Sequence, residues 1–373
     1  MEGPLEIYVH IPFCARKCNY CDFYSFPADE KTRETFFASL KEEILSSPWT
    51  GRSVSSVFFG GGTPSIVKPE QIRDVLETVR DAFRILPDAE ITLEANPGTV
   101  TKESLRAYKD MGIGRLSMGL QSANDRTLRK LGRIHDLETF VSSFELARAA
   151  GFRNISVDLM SGLPGETLQD FENSLFQTLS LRPEHISVYS LIVEENTPFY
   201  ALYGEGCGTL RSELPDEDAD REMTAAAVRI LSGAGYVRYE ISNYARPGFE
   251  SKHNTGYWTG VPYLGFGPSA ASYIGGKRFK NPLSLNWCGL PYVECETLSK
   301  EDRMSEFMIL GLRMTRGVSE ADFAERFGEP LDGRYGAVID KYVRLGALSR
   351  SGGRLFLTPY GLDVSNVILA EFL

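Results

Sequence analysis

Along the first two hundred residues, short β-branched or aromatic runs alternate with longer segments of helical apolar spacing, and few architectures accept that rhythm. Strands are predicted at 6–11, 54–59, 91–95, 115–120, 155–159 and 186–191, with helices such as 32–45, 69–83 and 168–179 between them. The last of these carries Leu168, Phe171, Leu175 and Leu179 on one stripe. Six βα units follow, so the fold class is α/β, built around a parallel sheet.

The rhythm then loosens. An acidic helix is predicted around 215–233, a strand at 236–244, and a Gly/Pro-punctuated stretch at 246–286. Helical spacing returns at 304–314, 320–327 and 335–345, followed by a hairpin around Gly352–Gly353 and one last helix, the outline of a winged-helix-like module. The expected division is 1–245 for the large domain, 246–299 for a connecting region and 300–373 for the C-terminal module. With 50 acidic against 40 basic side chains the net charge is −10, which repels nucleic acid and anionic lipid, so packing against the large domain is expected of that module. No stretch approaches the length of a membrane span, and no basic region followed by an apolar run opens the chain, so a cytoplasmic protein is expected.

Three of the six cysteines crowd into "HIPFCARKCNYCDFYSF" as Cys14, Cys18 and Cys21, in a loop just after the first predicted strand. Such crowding marks a metal site in a reducing compartment; Cys207, Cys288 and Cys295 stand apart. Structural zinc takes four protein ligands, and no His lies in the stretch that follows to complete the set. An iron–sulfur cube held by three thiolates keeps one iron for a small chelating molecule. Three unconnected buried thiols, or a zinc clip, are the bland alternatives.

"YVHIPFCARKCNYCDF" and "FFGGGTPS" resemble the signatures of the radical S-adenosylmethionine (SAM) superfamily, and within it the oxygen-independent coproporphyrinogen III oxidases and their relatives, over nearly the whole chain. The resemblance implies a partial (β/α)6 TIM-like barrel, a 4Fe-4S cluster on Cys14, Cys18 and Cys21, and SAM on the exposed iron. It further implies SAM contacts from Gly61, Gly62 and Thr63, from Tyr8 and Tyr20, and from Glu94, Gln121, Arg133 and Asp158. Taken singly, each has a plainer reading: a tight turn for the glycines, core for the tyrosines, a salt bridge or cap for the others.

The oxidases resembled carry a further cysteine two positions after the third, where this chain has Phe23, and a long N-terminal segment, which is not expected here because the first predicted strand comes only a few residues in. A sister group of heme chaperones instead has CxxxCxxCDF and an HNxxYW motif, matched by His253, Asn254, Tyr257 and Trp258 in "KHNTGYWTG". That resemblance implies heme as a ligand and an acceptor hemoprotein, such as a respiratory one, as partner, and leaves a homodimer and peripheral membrane contact open. An imidazole can ligate heme iron and aromatic rings can face a macrocycle. Equally, His253 and Asn254 would tie down a loop while Tyr257 and Trp258 fill the seam to the C-terminal module. The competing function is an enzyme that decarboxylates coproporphyrinogen III or acts on another tetrapyrrole.

Overall fold

The computed structural model describes residues 3–373. Six strands, β1 (Leu5–Ile11), β2 (Ser53–Gly61), β3 (Arg84–Ala95), β4 (Arg115–Gln121), β5 (Asn154–Ser161) and β6 (His185–Ser190), pair in sequence order and all in parallel. Helices join each to the next, among them Glu30–Leu45, Pro69–Ala82 and Leu168–Ser180. The barrel stays open because other strands take its edges. β7 (Val237–Arg238) and β8 (Asn243–Ala245) form an antiparallel pair, and β8 runs antiparallel to β6. On the other edge β9 (Tyr263–Phe266) lies parallel to β1, and β10 (Ala271–Ile274), β11 (Lys277–Lys280) and β12 (Glu294–Thr297) extend it antiparallel.

The pleat of β1 explains how a core and a site share one sheet. Leu5, Ile7, Val9 and Ile11 are fully buried against the helix layer, each worth about 1.5–3 kcal/mol. At the alternate positions Tyr8 and His10 line the cavity inside the barrel, and Glu6 is buried beside His253. The same alternation places Arg115, Ser117, Gly119 and Gln121 of β4 along the inside, with Leu116, Met118 and Leu120 in the core.

Three sequence expectations are corrected. The strand at 236–244 is two short strands with a turn between them, held by Arg238 donating to the Ile241 carbonyl and by the buried Glu240 accepting from Ser242 N–H. The stretch 246–286 is not mere punctuation, since it carries helix Lys252–Thr259 and β9 to β11. The single last helix is two, Pro359–Asp363 and Ser365–Ala370.

Residues 300–373 have a core of their own, around Met304, Met308, Phe323, Tyr335 and Ile339. Helices Lys300–Gly311, Glu320–Phe327 and Leu331–Arg344 pack with a small sheet in which β13 (Val318–Ser319) and β14 (Leu348–Ser351) flank β15 (Arg354–Leu357). The module joins the barrel where Thr315 N–H donates to the Tyr239 carbonyl at 3.0 Å and Arg313 lies 4.3 Å over the Trp258 ring.

Candidate functional site

Cys14, Cys18 and Cys21 lie on the loop leaving β1, unpaired and half-buried, and all three line one cavity of about 1870 Å³ at the open face of the barrel. The loop is pinned at several points. Cys14 N–H donates to the Phe26 carbonyl at 3.1 Å, Asn19 N–H to Leu131 at 2.9 Å, and Arg16 to the Gly132 carbonyl at 2.6 Å. Among the described residues no three His, Cys, Asp or Glu side chains converge as ligands of a single metal ion. The donor set is instead three free thiols on one short loop, which fits the soft-ligand chemistry of an iron–sulfur group. Burial pushes the Cys14 and Cys21 thiols up, so a cation must compensate before they ionise. Cys207 and Cys295 are exposed and Cys288 half-buried, outside the cavity.

The glycine run at the end of β2 packs onto this loop. Gly62 N–H donates to the Ile11 carbonyl at 2.8 Å, and a Cβ there would meet Phe13 O, Ile11 O and Phe13 N at 2.7–2.9 Å. Backbone cannot yield as a flexible side chain can, so glycine is required. Thr63 follows, its hydroxyl 3.4 Å from the Cys14 thiol and accepting from the Asn96 amide at 2.7 Å. Asn96 in turn accepts from Arg133 at 2.8 Å, and Arg133 also donates to the Gly119 carbonyl at 2.7 Å and lies 3.7 Å from Cys18 Sγ. One N–H of that buried guanidinium, Nε, has no partner among the described residues.

Glu94, Gln121 and Asp158 line the same cavity. Burial, joined by the Asp158 charge, raises Glu94 to about 8 even though Gly61 N–H donates to it at 3.1 Å. Burial likewise pushes Asp158 up, against a Ser117 hydroxyl donating at 3.2 Å. Gln121 ends β4 with φ at 71°, a strained value for a residue with a side chain, and its amide oxygen accepts from Tyr189 at 3.0 Å. Asp158 lies within β5, which continues to Ser161, two residues beyond the predicted end at 159. Tyr8 donates to Nδ1 of His10 at 3.1 Å while His10 Nε2–H donates to the Tyr24 carbonyl at 2.9 Å, a tautomer kept neutral by burial, which lowers His10 to about 4. Tyr20 packs edge-on to Phe199.

His253, Asn254, Tyr257 and Trp258 reach this cavity too, but from a helix and not a loop. Ser251 caps that helix by accepting from Asn254 N–H. His253 is 2% exposed, and both its ring nitrogens are engaged: Nδ1 with Ser56 at 2.7 Å and Nε2 with the Tyr257 hydroxyl at 3.1 Å. Burial, aided by the Arg115 charge, lowers it to about 3, and burial raises the neighbouring Glu6 to about 9, so their 3.8 Å approach is between neutral groups. A Cβ at Gly256 would collide with the Glu6 carboxyl, which is why this chain has glycine there. Trp258 packs with Tyr239 and Met314 in the seam to the C-terminal module.

A family model of the Radical SAM superfamily matches residues 8–177, and one of the HemN C-terminal domain matches 298–364. The chain is 39% identical to a protein named heme chaperone HemW from Bacillus subtilis (strain 168), over 98% of both, and 32% identical to HemW of Escherichia coli (strain K12), over 99% of this chain and 98% of the relative. This chain belongs to the HemW family. Its membership in the radical SAM superfamily implies a 4Fe-4S cluster and SAM as cofactors. In fold this HemW-family chain is similar to the coproporphyrinogen III oxidase HemN of Escherichia coli, with a TM-score of 0.86 at 24% identity, over 100% of this chain and 90% of that one.

Sequence reasoning missed Asn96, the link between Thr63 and Arg133, and the interior set Arg115, Ser117, Ser187 and Tyr189. A signal existed: strands of a parallel sheet are ordinarily apolar on both faces, and polar residues at every second position of "RLSMGLQ" and "HISVYS" mark the cavity side.

Proposed function

We propose that this protein is a cytoplasmic heme chaperone, taking heme into the cavity and passing it to an acceptor hemoprotein. The supporting observation is that the HNTGYW helix and the cysteine loop open onto the same cavity, in a chain 39% identical to a heme chaperone over nearly its whole length. Cys14, Cys18 and Cys21 hold the cluster. Tyr8, Tyr20, Gly61, Gly62, Thr63, Glu94, Gln121, Arg133 and Asp158 form the SAM pocket beside it. Bound there, the two cofactors would supply one-electron chemistry. Arg133, with one N–H unspent, suits a carboxylate, and Glu94 and Asp158 accept from amino or hydroxyl groups. Asn254, Tyr257 and Trp258 flank the heme, and His253 reaches its iron once Tyr257 leaves Nε2. Residues 1–245, 246–299 and 300–373 are taken as the working division.

A second reading, oxidative decarboxylation of coproporphyrinogen III, draws on the completeness of the SAM-side residues. Against it stands Phe23, 67% exposed where the oxidases carry their additional cysteine. One experiment separates the two. Anaerobically reconstituted protein should give a heme Soret band that changes in His253→Ala, and should form no protoporphyrinogen from coproporphyrinogen III, SAM and reductant. Sustained turnover with 5′-deoxyadenosine release would favour the enzyme.

A further inference from the structure

The chain as a whole is acidic, at −10, but the part of the cavity wall contributed from residue 275 onward is not. It holds Arg278, Arg303, Arg316, Arg326 and Arg354 against two carboxylates, Glu306 and Asp322. Some of these arginines already have work. Arg278 pairs with Glu306 at 2.6 Å, and Arg354 donates to the carbonyls of Arg316 and Gly317 at 2.8 and 2.6 Å, fixing the backbone that carries Arg316.

The other three have no carboxylate partner among the described residues. Among the described residues Arg303 donates only to the carbonyl of Ser299, the cap of its helix, Arg326 lies 5.4 Å over the Phe307 ring, and the Arg316 side chain has no partner. Exposed arginines are ordinarily just solvated. These three, however, share one cavity with an apolar wall of Phe307, Leu310 and Met314, and two of them flank that wall from separate elements, Arg326 on helix Glu320–Phe327 and Arg316 on the turn before β13. A ligand matching both features has a flat apolar body and carboxylate arms, since a guanidinium fork receives a carboxylate through two parallel hydrogen bonds.

We propose that Arg316 and Arg326 form an anion-receiving rim that takes the propionate carboxylates of a tetrapyrrole, while Phe307, Leu310 and Met314 lie against its ring. The inference rests on the heme reading above and adds an orientation: the carboxylate edge of the macrocycle faces the C-terminal module.

The test titrates anaerobically reconstituted full-length protein with ferric heme and, separately, with its dimethyl ester, following the Soret band for the wild type, Arg316→Ala, Arg326→Ala and the double variant. Both side chains are exposed, and retained cluster absorption checks that each variant is intact. Each single variant should weaken heme binding about tenfold, the scale of a lost charge-assisted contact, and leave the ester unchanged. The wild type should likewise prefer heme to ester. If heme and ester bind alike and the variants match the wild type, the rim is overturned and the heme reading stands. If the wild type binds no heme, both fall.

Discussion

Tyr257 places its hydroxyl on Nε2 of His253, the nitrogen an iron would need, while Ser56 holds Nδ1. With Nδ1–H donating to Ser56, the Tyr257 hydroxyl donates to Nε2 and competes with any metal there. Tyr257→Phe removes that competitor and keeps the aromatic face. Heme binding through His253 should then tighten roughly three- to tenfold, the worth of one hydrogen bond, as read by a Soret titration. Weaker binding would show instead that the hydroxyl contacts the ligand. Legibility differs sharply between residues here. Cys14, Cys18 and Cys21 fall within eight positions and declare themselves; the partners of His253 do not, because Ser56 stands 197 residues away and only the fold brings them together.

At the scale of elements, the six parallel strands are readable because each holds a compact apolar run between helices, and five lie within a few residues of the expected spans. β3 starts at Arg84, seven residues before the expected 91, because its first half is exposed or half-buried and carries no apolar run. The strands after residue 236 are not readable in this way, since β7 to β11 are only two to four residues long and owe their pairing to edges that β1 and β6 leave open. One side chain locks this extension in place. Glu43, on helix Glu30–Leu45, accepts from Gly267 N–H at 2.8 Å, from Asn281 at 2.6 Å and from the Trp287 indole at 2.8 Å. Glu43→Ala leaves three buried donors without an acceptor and should cost about 3 kcal/mol or more in urea unfolding, with Glu43→Gln milder because one carbonyl remains. An unchanged midpoint would show that the extension is held by apolar packing alone.

For the molecule as a whole, all four histidines are buried and lowered by burial: His10 and His135 to about 4, His253 to about 3, and His185 well below its ordinary value. The unfolded chain binds protons there that the native one refuses, so stability falls as pH drops from about 6.5 towards 4. Burial raises several carboxyls the other way, among them Glu6 to about 9 and Glu94 and Glu166 to about 8, with Glu43, Asp158 and Glu240 also pushed up. The native state keeps those protons while the unfolded chain releases them, so stability also falls as pH rises from about 4.5 through 8 to 9. The two trends oppose each other, so the urea midpoint of SAM-free protein should fall as pH rises above about 6.5, where the histidines no longer contribute and the buried carboxyls still do; a midpoint still climbing at pH 8 would contradict these assignments. The cavity joins all of this to function, for the proposed role depends on its three thiols gripping a cluster with one iron left for SAM. Mössbauer spectra of anaerobically reconstituted protein, with and without SAM, test that directly. About four irons per chain are expected, one of them changing when SAM is added, with loss of the cluster when Cys14, Cys18 or Cys21 becomes Ala. Iron-free protein, or spectra indifferent to SAM, would contradict that expectation.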